Sequence, residues 1–550
     1  MKDKQNEPAA KNIPAKLLLW NCTIREKFNK WWENGALALE NGKIAACGKK
    51  SSVRSQYGDY PDLNLKNSTL LAGFNDAHLH FYQTGKDLSA CDLSGVKNFR
   101  ELKGKITAWL QTSNQDTGQL LRAVRLNDSQ LSEGRMPTRE ELDQIVEDRP
   151  LLVERICYHA AAVNSKALKE ANITASTSDP AGGRIGRDTR GKPDGRLFDS
   201  AVDLIKSGYP APSLDQRTQY LQQAGQKCLS RGITSLTADD LGAESDPEIT
   251  LEAYEQYLNS NKPGPRLYVE QRIKDRKDIN WLRENSLPTG RGNSRLRFGP
   301  IKIMLDGSLG AETAALSTTY SGSSSQGDLL LEVEELQNLL SQAAAHNFLA
   351  DIHTIGDRAI ETVIKAYKNL QKDNQNIKPP RLVHCQLPLP RQIPVLGREN
   401  FKAIIQPAFM GSDWKLARKK LPPENLQSAY AWKSLQEAGV LLAGSSDAPI
   451  EPLNPLKGIH CAVNRQDTGN QPPEKFLPRE KLSVDHALQL FTRAGAKLSG
   501  ETEIKGNLST GKIADLTVLA ADPRKIAANN LKDLQIEKTF LQGKEVYSSR

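Results

Sequence analysis

Long apolar runs are missing from this sequence. No stretch of about 18 apolar residues occurs, so we expect neither a membrane-spanning helix nor a membrane partner. Near the N-terminus the apolar run covers only Leu17–Trp20, whereas a secretory signal needs about 7–15 apolar residues. Hydrophobic residues still make up 38% of the 550 residues and charged residues 25%. This composition is typical of a globular protein with a large core and excludes a wholly disordered or fibrous one.

Cysteine is also scarce. The seven cysteines are odd in number, widely spaced and without a Cys-x-x-Cys pair; they are Cys22, Cys47, Cys91, Cys157, Cys228, Cys385 and Cys461. This pattern favours reduced thiols over a disulfide framework or a thiolate zinc site. We therefore predict a cytoplasmic protein.

A strong imbalance of charge is absent as well. The 74 basic and 65 acidic residues leave a net charge of +9, which by itself would allow a nucleic-acid partner. Nucleic-acid binders need clustered Lys and Arg with interleaved aromatic residues, or a recognisable module. Here the basic residues are scattered, and the short cluster at 415–420 is also typical of a solvated helix face. We expect no nucleic-acid partner, and a nucleic-acid binder is kept only as an alternative.

The two ends of the chain share a β-rich pattern. Residues 1–13 are polar, and we expect them to be disordered. Residues 14–70 form short alternating runs in which Asn-Gly occurs twice, a strong hairpin signal. Residues 500–550 repeat that character, so we predict one discontinuous β-sandwich domain built from both ends.

The middle of the chain, 71–499, alternates strand-like apolar runs with helical patterns. The strand-like runs lie at 69–74, 232–238, 266–273, 300–305, 348–353, 381–386, 402–407 and 440–447. Eight strands in β–α alternation predict an α/β fold with a (β/α)8 TIM-type barrel. The long gap between the first two runs, 85–225, predicts an insertion subdomain, in which the glycine-rich segment 182–195 is expected to be a loop.

Residues that can bind a metal follow these runs where a barrel builds its active site. They are His78, His80, Lys302, His353, His384 and Asp447, and they include four of the eight histidines. Taken singly, each histidine is more simply a hydrogen-bonded core residue, and the aspartate a helix cap. Their concurrence on different strands instead predicts a site for zinc or another divalent metal, which prefers nitrogen and oxygen ligands.

Short motifs around these residues resemble the amidohydrolase superfamily. They are GFNDAHLH (73–80), IKIMLDGSLGAETAAL (301–316), DIHTIGDRAI (351–360), VHCQL (383–387), GSSDAPI (444–450) and GNLSTGKIADLTVLAADP (506–523). More narrowly they resemble the YtcJ-like (amidohydrolase-3) metal-dependent hydrolases, a group that includes N-substituted formamide deformylases. The resemblance extends over residues 14–547.

This resemblance implies a metal site with a modified lysine. In the superfamily a lysine on the fourth strand is often carboxylated, and its carbamate bridges two metal ions, which assigns that part to Lys302. The other ligands divide into His78, His80 and Asp447 on one ion and His353 and His384 on the other. If Lys302 is unmodified, a single ion is expected.

The resemblance also implies hydrolysis of an amide-type, non-peptide C–N bond in a small molecule. A metal-activated hydroxide would attack, and Asp447 would carry the proton of the water to the leaving amine. His159, in the insertion, would bind substrate or stabilise an oxyanion, or else serve a structural role. Asp306 and Ser308, in the loop after the fourth run, would line the pocket or form its turn.

Several alternatives stay open at the level of sequence. The same scaffold serves mononuclear deaminases and ester or lactone hydrolases, although deaminase sites lack the bridging lysine that Lys302 would supply. An inactive, enzyme-like binding protein is a further alternative. By analogy with the family, a homodimer is expected.

Overall fold

The structure, a computed structural model, describes residues 15–112, 119–156, 158–243, 246–373 and 377–549. The segment expected to be disordered, 1–13, and Cys157 lie outside the described residues. The chain divides into two compact units: the first comprises the residues up to Phe81 and those from Gly225 onward, and the second comprises Tyr82–Ala224. Within the described ranges, none of the helices combines the length and hydrophobicity that a membrane crossing needs.

The described residues form strands and helices with the following bounds. The strands are β1 (Lys16–Lys27), β2 (Lys30–Glu40), β3 (Lys43–Lys49), β4 (Asp62–Asn64), β5 (Thr69–Ala72), β6 (Phe74–Leu79), β7 (Cys91–Asp92), β8 (Leu121–Leu126), β9 (Leu151–Arg155), β10 (Ala160–Val163), β11 (Gly183–Arg187), β12 (Pro193–Asp199), β13 (Ile233–Leu241), β14 (Arg266–Arg272), β15 (Leu296–Met304), β16 (Ala350–Thr354), β17 (Arg381–His384), β18 (Lys402–Ile405), β19 (Leu441–Gly444), β20 (Leu516–Leu519), β21 (Ile536–Leu541) and β22 (Lys544–Ser548). The α-helices are α1 (Lys50–Tyr57), α2 (Phe81–Leu88), α3 (Phe99–Thr112), α4 (Arg139–Asp143), α5 (Ser165–Glu170), α6 (Ala201–Lys206), α7 (Leu214–Ser230), α8 (Pro247–Asn259), α9 (Arg276–Glu284), α10 (Val333–Ala345), α11 (Asp357–Lys372), α12 (Ile393–Arg398), α13 (Pro407–Lys420), α14 (Pro423–Leu426), α15 (Trp432–Glu437), α16 (Pro455–Asn464), α17 (Val484–Gln489) and α18 (Gly495–Leu498).

Eight parallel strands of the first unit form a nearly closed barrel in the order β6-β13-β14-β15-β16-β17-β18-β19. The strands follow one another around the barrel in chain order. Parallel neighbours need a crossover connection, and each of these connections contains at least one helix. Past the end of β19, the amide of Asp447 donates to the carbonyl of His78 at 3.0 Å, and the amide of His80 donates to the carbonyl of Ala448 at 2.9 Å. The predicted α/β fold with an eight-stranded barrel is confirmed.

The first predicted barrel run, 69–74, is divided between two sheets. Its residues Thr69–Ala72 form β5, which pairs with β1 and β20, whereas the barrel begins at β6. Gly73 separates the two strands, and a Cβ atom there would lie 2.1 Å from Oγ1 of Thr234. Only glycine allows the chain to pass so close to β13. The sequence does not reveal the change of sheet, because the run 69–74 gives a single strand-like signal.

Strands from both ends of the chain form one sheet, in the order β22-β21-β20-β5-β1-β2-β3 with β4 beside β1. Strands β2 and β3 are joined by Asn41 and Gly42, whose φ angles of 50° and 76° fit the two-residue hairpin turn that Asn-Gly favours. The apolar core of this sheet includes Leu19, Leu37 and Val518, so both ends of the chain contribute to it. The sandwich arrangement and the domain boundaries stay predictions.

The second unit contains a six-stranded sheet in the order β11-β12-β10-β9-β8-β7. Segment 182–195, expected to be a loop, instead contains β11 and the start of β12, which pair antiparallel. A Cβ atom at Gly183 or Gly195 would come within 2.4 Å or 2.5 Å of backbone atoms. The glycines therefore serve close packing in a hairpin, which explains why a pattern typical of loops was misleading. The limits of the insertion stay a prediction.

Candidate metal centre

The six candidate ligands lie at the carboxyl-terminal ends of barrel strands, where side chains from different strands converge. The strands carry them as His78 in β6, Lys302 in β15, His353 in β16 and His384 in β17, while His80 follows β6 and Asp447 follows β19. Five of the six are buried, and His80 is partly buried. One end of the barrel thus gathers imidazole, carboxylate and amine groups that lie far apart in the sequence.

Asp447 is the carboxylate that faces the first histidine pair. Its Oδ1 lies 3.3 Å from Nε2 of His78 and 3.3 Å from Nε2 of His80. Asp447 has a φ of 56°, a left-handed conformation that is uncommon outside glycine and is often found at functional sites. Burial raises the pKa of this carboxyl, but close contact with the two histidines outweighs burial and holds the pKa well below its ordinary value. Asp447 is therefore ionised at neutral pH.

The second histidine pair lies close to the first. The ring centroids of His353 and His384 are 4.5 Å apart, and those of His78 and His384 are 6.1 Å apart. Phe409 stacks on His384 with 5.8 Å between ring centroids and 13° between planes. The four imidazoles therefore form one cluster.

Each imidazole has an oxygen atom near its Nδ1. Glu270 Oε2 lies 3.0 Å from Nδ1 of His78, and the backbone oxygen of Asp239 lies 3.3 Å from Nδ1 of His80. For the second pair, the oxygens are Asp306 Oδ1 and Gln406 Oε1, each 2.8 Å from the Nδ1 of His353 and His384 respectively. Because Nδ1 is engaged in this way, Nε2 is the nitrogen that is available to a metal in each ring.

Burial and charge set different protonation states in the cluster. Burial and the nearby Lys302 lower the pKa of His353 to about 3, and burial together with His353 lowers the pKa of His384 well below its ordinary value. At His78, burial and Lys302 lower the pKa, but Glu270 and Asp447 outweigh them and raise it to about 10. His353 and His384 are therefore neutral, as metal ligands must be, whereas His78 must release a proton to bind a metal.

Lys302 lies among the candidate ligands with its amine buried. Its side chain is 1% exposed, and Nζ has no hydrogen-bond partner among the described residues. A buried, unpaired ammonium is costly, and with three donors and no lone pair it cannot bind a cation. The position therefore fits a lysine whose amine is chemically modified.

A second carboxylate, Asp239 at the end of β13, also lies near the first histidine pair. His78, His80 and Asp239 each offer one possible ligand atom, and these three atoms lie within 4.8 Å of one another. Arg272, at the end of β14, engages both oxygens of Asp239, through Nη2 and through Nε at 3.3 Å. The arginine competes with any metal for these oxygens, whereas Asp447 faces the histidines directly.

The other predicted site residues have different surroundings. Asp306 is 1% exposed and, besides His353, accepts from the amides of Ile355 and Gly356 at 3.1 and 2.7 Å. These contacts favour a positioning role over substrate binding. Ser308 is partly buried, and its Oγ accepts from the amide of Ala311 at 3.3 Å. His159 belongs to the second unit, where its Nδ1 lies 3.2 Å from Oδ1 of Asp199, and its role in the site stays a prediction.

Sequence reasoning missed Asp239, Glu270 and Gln406. Glu270 is fully buried in β14, inside a run that had been identified only as a strand. A charged residue at an inward position of a barrel strand was the available signal, because such a group needs a buried partner.

Comparisons with known proteins agree with this geometry. The model of the amidohydrolase family (Amidohydro_3) matches residues 63–547. YtcJ of Bacillus subtilis is 33% identical over 93% of this chain and 96% of its own length. The N-substituted formamide deformylase of Arthrobacter pascens is 26% identical over 96% of this chain and 97% of its own length. Among solved structures, an uncharacterised metal-dependent hydrolase from Pyrococcus furiosus aligns with a TM-score of 0.74 and 25% identity, over 93% of this chain and 100% of that one.

Proposed function

This chain belongs to the amidohydrolase family of metal-dependent hydrolases, and we propose that it hydrolyses an amide-type C–N bond other than a peptide bond. The observation that carries the proposal is the cluster of four imidazoles around one end of the barrel, with Asp447 Oδ1 at 3.3 Å from two of them. Imidazole and carboxylate groups are the ligands that zinc and similar divalent ions prefer.

The residues present suit such an ion. His78, His80 and Asp447 would hold one ion, and His353 and His384 a second. Asp447 is preferred to Asp239 because Arg272 already occupies both oxygens of Asp239. A bound divalent ion supplies Lewis acidity and lowers the pKa of a water molecule beside it.

Lys302 is proposed to bridge the two ions as a carbamate. In its unprotonated form the amine would attack CO2 through Nζ, forming an N–C bond as one C=O π bond opens and releasing one proton; the product is an anionic oxygen ligand. The support is that Nζ is buried and lacks a hydrogen-bond partner among the described residues. Without this modification the site would hold one ion.

Asp447 is proposed to move the proton in the reaction. Its carboxylate is ionised because contact with His78 and His80 lowers its pKa well below the ordinary value. As an ionised carboxylate it would accept a proton from the attacking water and deliver it to the leaving nitrogen; the lowered pKa accounts for the ionised state and not for the strength of the base.

The substrate is proposed to be a small amide, with N-formyl amines as the first class to test. The support is the formamide deformylase, which matches nearly the whole chain. The test is a screen of N-formyl, N-acyl and cyclic amides, with esters, lactones and aminopurines included for the alternative activities. We expect amide hydrolysis that is lost on metal removal and restored by zinc; turnover only of esters or aminopurines would contradict the proposal.

Two further features complete the proposal. We expect a cytoplasmic location, supported by the six described cysteines, all free thiols and five of them buried, as is usual in a reducing compartment. A homodimer is the expected assembly, which sedimentation of the purified protein would test.

A further inference from the structure

We propose that Gln406, oriented by Ser445, is a positioning residue that holds His384 in the tautomer that binds a metal. The inference rests on the proposed function, because it matters only if His384 is a metal ligand. It concerns a neutral amide that none of the site motifs contains, at the end of β18.

A continuous hydrogen-bonded chain links the two residues to the histidine. Nδ1 of His384 lies 2.8 Å from Oε1 of Gln406, and Nε2 of Gln406 donates to Oγ of Ser445 at 2.8 Å. All three side chains are buried: His384 is 5% exposed, Gln406 4% and Ser445 1%. Buried donors are almost always hydrogen-bonded, and each of these donors meets an acceptor within the group.

Ser445 determines which way the amide of Gln406 points. A hydroxyl has one hydrogen to donate, and Oγ of Ser445 donates it to the carbonyl of Ile405 at 3.2 Å. With its hydrogen on Ile405, Oγ accepts from Nε2 of Gln406, so the NH2 group of the amide faces Ser445. The same NH2 group also lies 3.4 Å from the carbonyl of Ile404. The amide oxygen is left to face His384.

The orientation of the amide in turn determines the tautomer of the imidazole. An amide oxygen only accepts, so Nδ1 of His384 must carry the hydrogen. An imidazole that binds a metal is neutral and holds only one hydrogen, which here lies on Nδ1. Nε2 therefore presents its lone pair to the cluster, which is the state a metal ligand requires.

The surroundings of His384 agree with a ring that is held in one position. His384 and Cys385 have φ angles of 75° and 43°, an uncommon conformation that turns the chain at the end of β17. Phe409 packs against one face of the ring. An amide, rather than a third carboxylate beside Glu270 and Asp306, orients the ring without adding negative charge.

A purely structural role for Gln406 is less consistent with its contacts. Gln406 precedes α13, yet its side chain makes no cap hydrogen bond with that helix. Its amide instead links His384, in β17, to Ser445, which follows β19. Gln392 offers a comparison, because it also precedes a helix and is buried (1% exposed), while the hydrogen bonds of its amide are to Leu389, Asp357 and Glu361.

The test is the zinc affinity of the metal-stripped full-length protein, measured by competition with a chromophoric chelator. Gln406→Leu removes the acceptor, and we expect its affinity to fall about 10–100-fold. Gln406→Glu keeps an acceptor and should restore most of that loss, and Gln392→Leu should bind zinc like the wild type. A Gln406→Leu protein that is folded and binds zinc as tightly as the wild type overturns the inference.

Ser445→Ala keeps the inference testable if Gln406→Leu does not fold. Without the hydroxyl the amide can rotate, so we expect a smaller, several-fold loss of zinc affinity; an unchanged affinity would overturn the proposal. The proposed function and the positioning role can be contradicted separately. A wild-type protein that takes up no zinc contradicts the proposed function itself, whereas zinc uptake that is indifferent to Gln406 and Ser445 contradicts only the positioning role.

Discussion

Asp306 acts on the site through another residue. Its Oδ1 lies 2.8 Å from Nδ1 of His353, and its Oδ2 accepts from the amides of Gly356 and Ala315 at 2.7 and 3.1 Å. Burial raises the pKa of Asp306 to about 7 although these amides lower it. The carboxylate therefore ties the loop after β15 to the end of β16 and fixes the direction of His353.

Replacing Asp306 should weaken metal binding more than substrate binding. In Asp306→Asn the new NH2 group opposes one of the amide donors, so we expect zinc affinity to fall about 10–100-fold and the melting temperature to fall. Ser308→Ala, in the same loop, should leave zinc affinity unchanged. An Asp306→Asn protein with normal zinc affinity and only a higher KM would instead support the role in substrate binding predicted from the sequence.

Glu154, in the second unit, should contribute stability that is lost in acid. Burial raises its pKa, but contacts with Arg122 and Lys206 outweigh burial and lower the pKa to about 2. Because its pKa is lower in the folded state, the ionised carboxylate stabilises the fold at pH values above the unfolded pKa. This contribution, about 3 kcal/mol, is lost as the pH falls from about 4.5 to about 2.

Urea unfolding between pH 2 and 7 would measure this contribution. Glu154→Gln should be less stable than the wild type at pH 7 and converge with it at the lowest pH. Glu147→Gln, an exposed position in the same unit, should follow the wild-type curve. A constant difference between wild type and Glu154→Gln at every pH would contradict the assignment.

At the scale of elements, apolar runs were sufficient to predict β13 through β19, because strands inside a barrel are buried along their whole length. The same signal failed at Gly73, where two short strands in different sheets follow each other directly. It also failed at 182–195, where glycines pack tightly within a hairpin. Histidines at strand ends were visible in the sequence, but their partners Glu270 and Gln406 were not, since the pairing exists only between strands that are distant in the chain.

Two helix glycines provide a matched test of packing. A Cβ atom at Gly104, in α3, would meet nothing within 4 Å, whereas one at Gly85, in α2, would lie 1.9 Å from the carbonyl oxygen of Tyr220. We expect Gly104→Ala to stabilise the protein by about 1 kcal/mol, and Gly85→Ala to destabilise it by about 1–3 kcal/mol. The urea midpoints of the two variants measure these changes in stability. Equal shifts would show that the space around each glycine does not determine the effect of alanine.

At the scale of the whole molecule, the proposed ligands all lie in the first unit. A ligand that binds only the folded state stabilises it by about 2.7 kcal/mol at a concentration of 100 Kd. We expect zinc to slow hydrogen exchange in the barrel strands β6 and β15–β19 more than in the second-unit strands β7–β12. Protection confined to the second unit would contradict the site. Added protection around His159 would support its predicted role.

We propose that the barrel holds divalent metal through four histidines, Asp447 and a carboxylated Lys302. The most direct measurement is the metal content per chain of the purified protein, combined with the mass of the peptide containing Lys302 under conditions that retain CO2. We predict about two equivalents of metal, a Lys302 peptide heavier by one CO2, and loss of the second ion in Lys302→Ala. A folded, metal-free protein that does not take up added zinc would contradict the account.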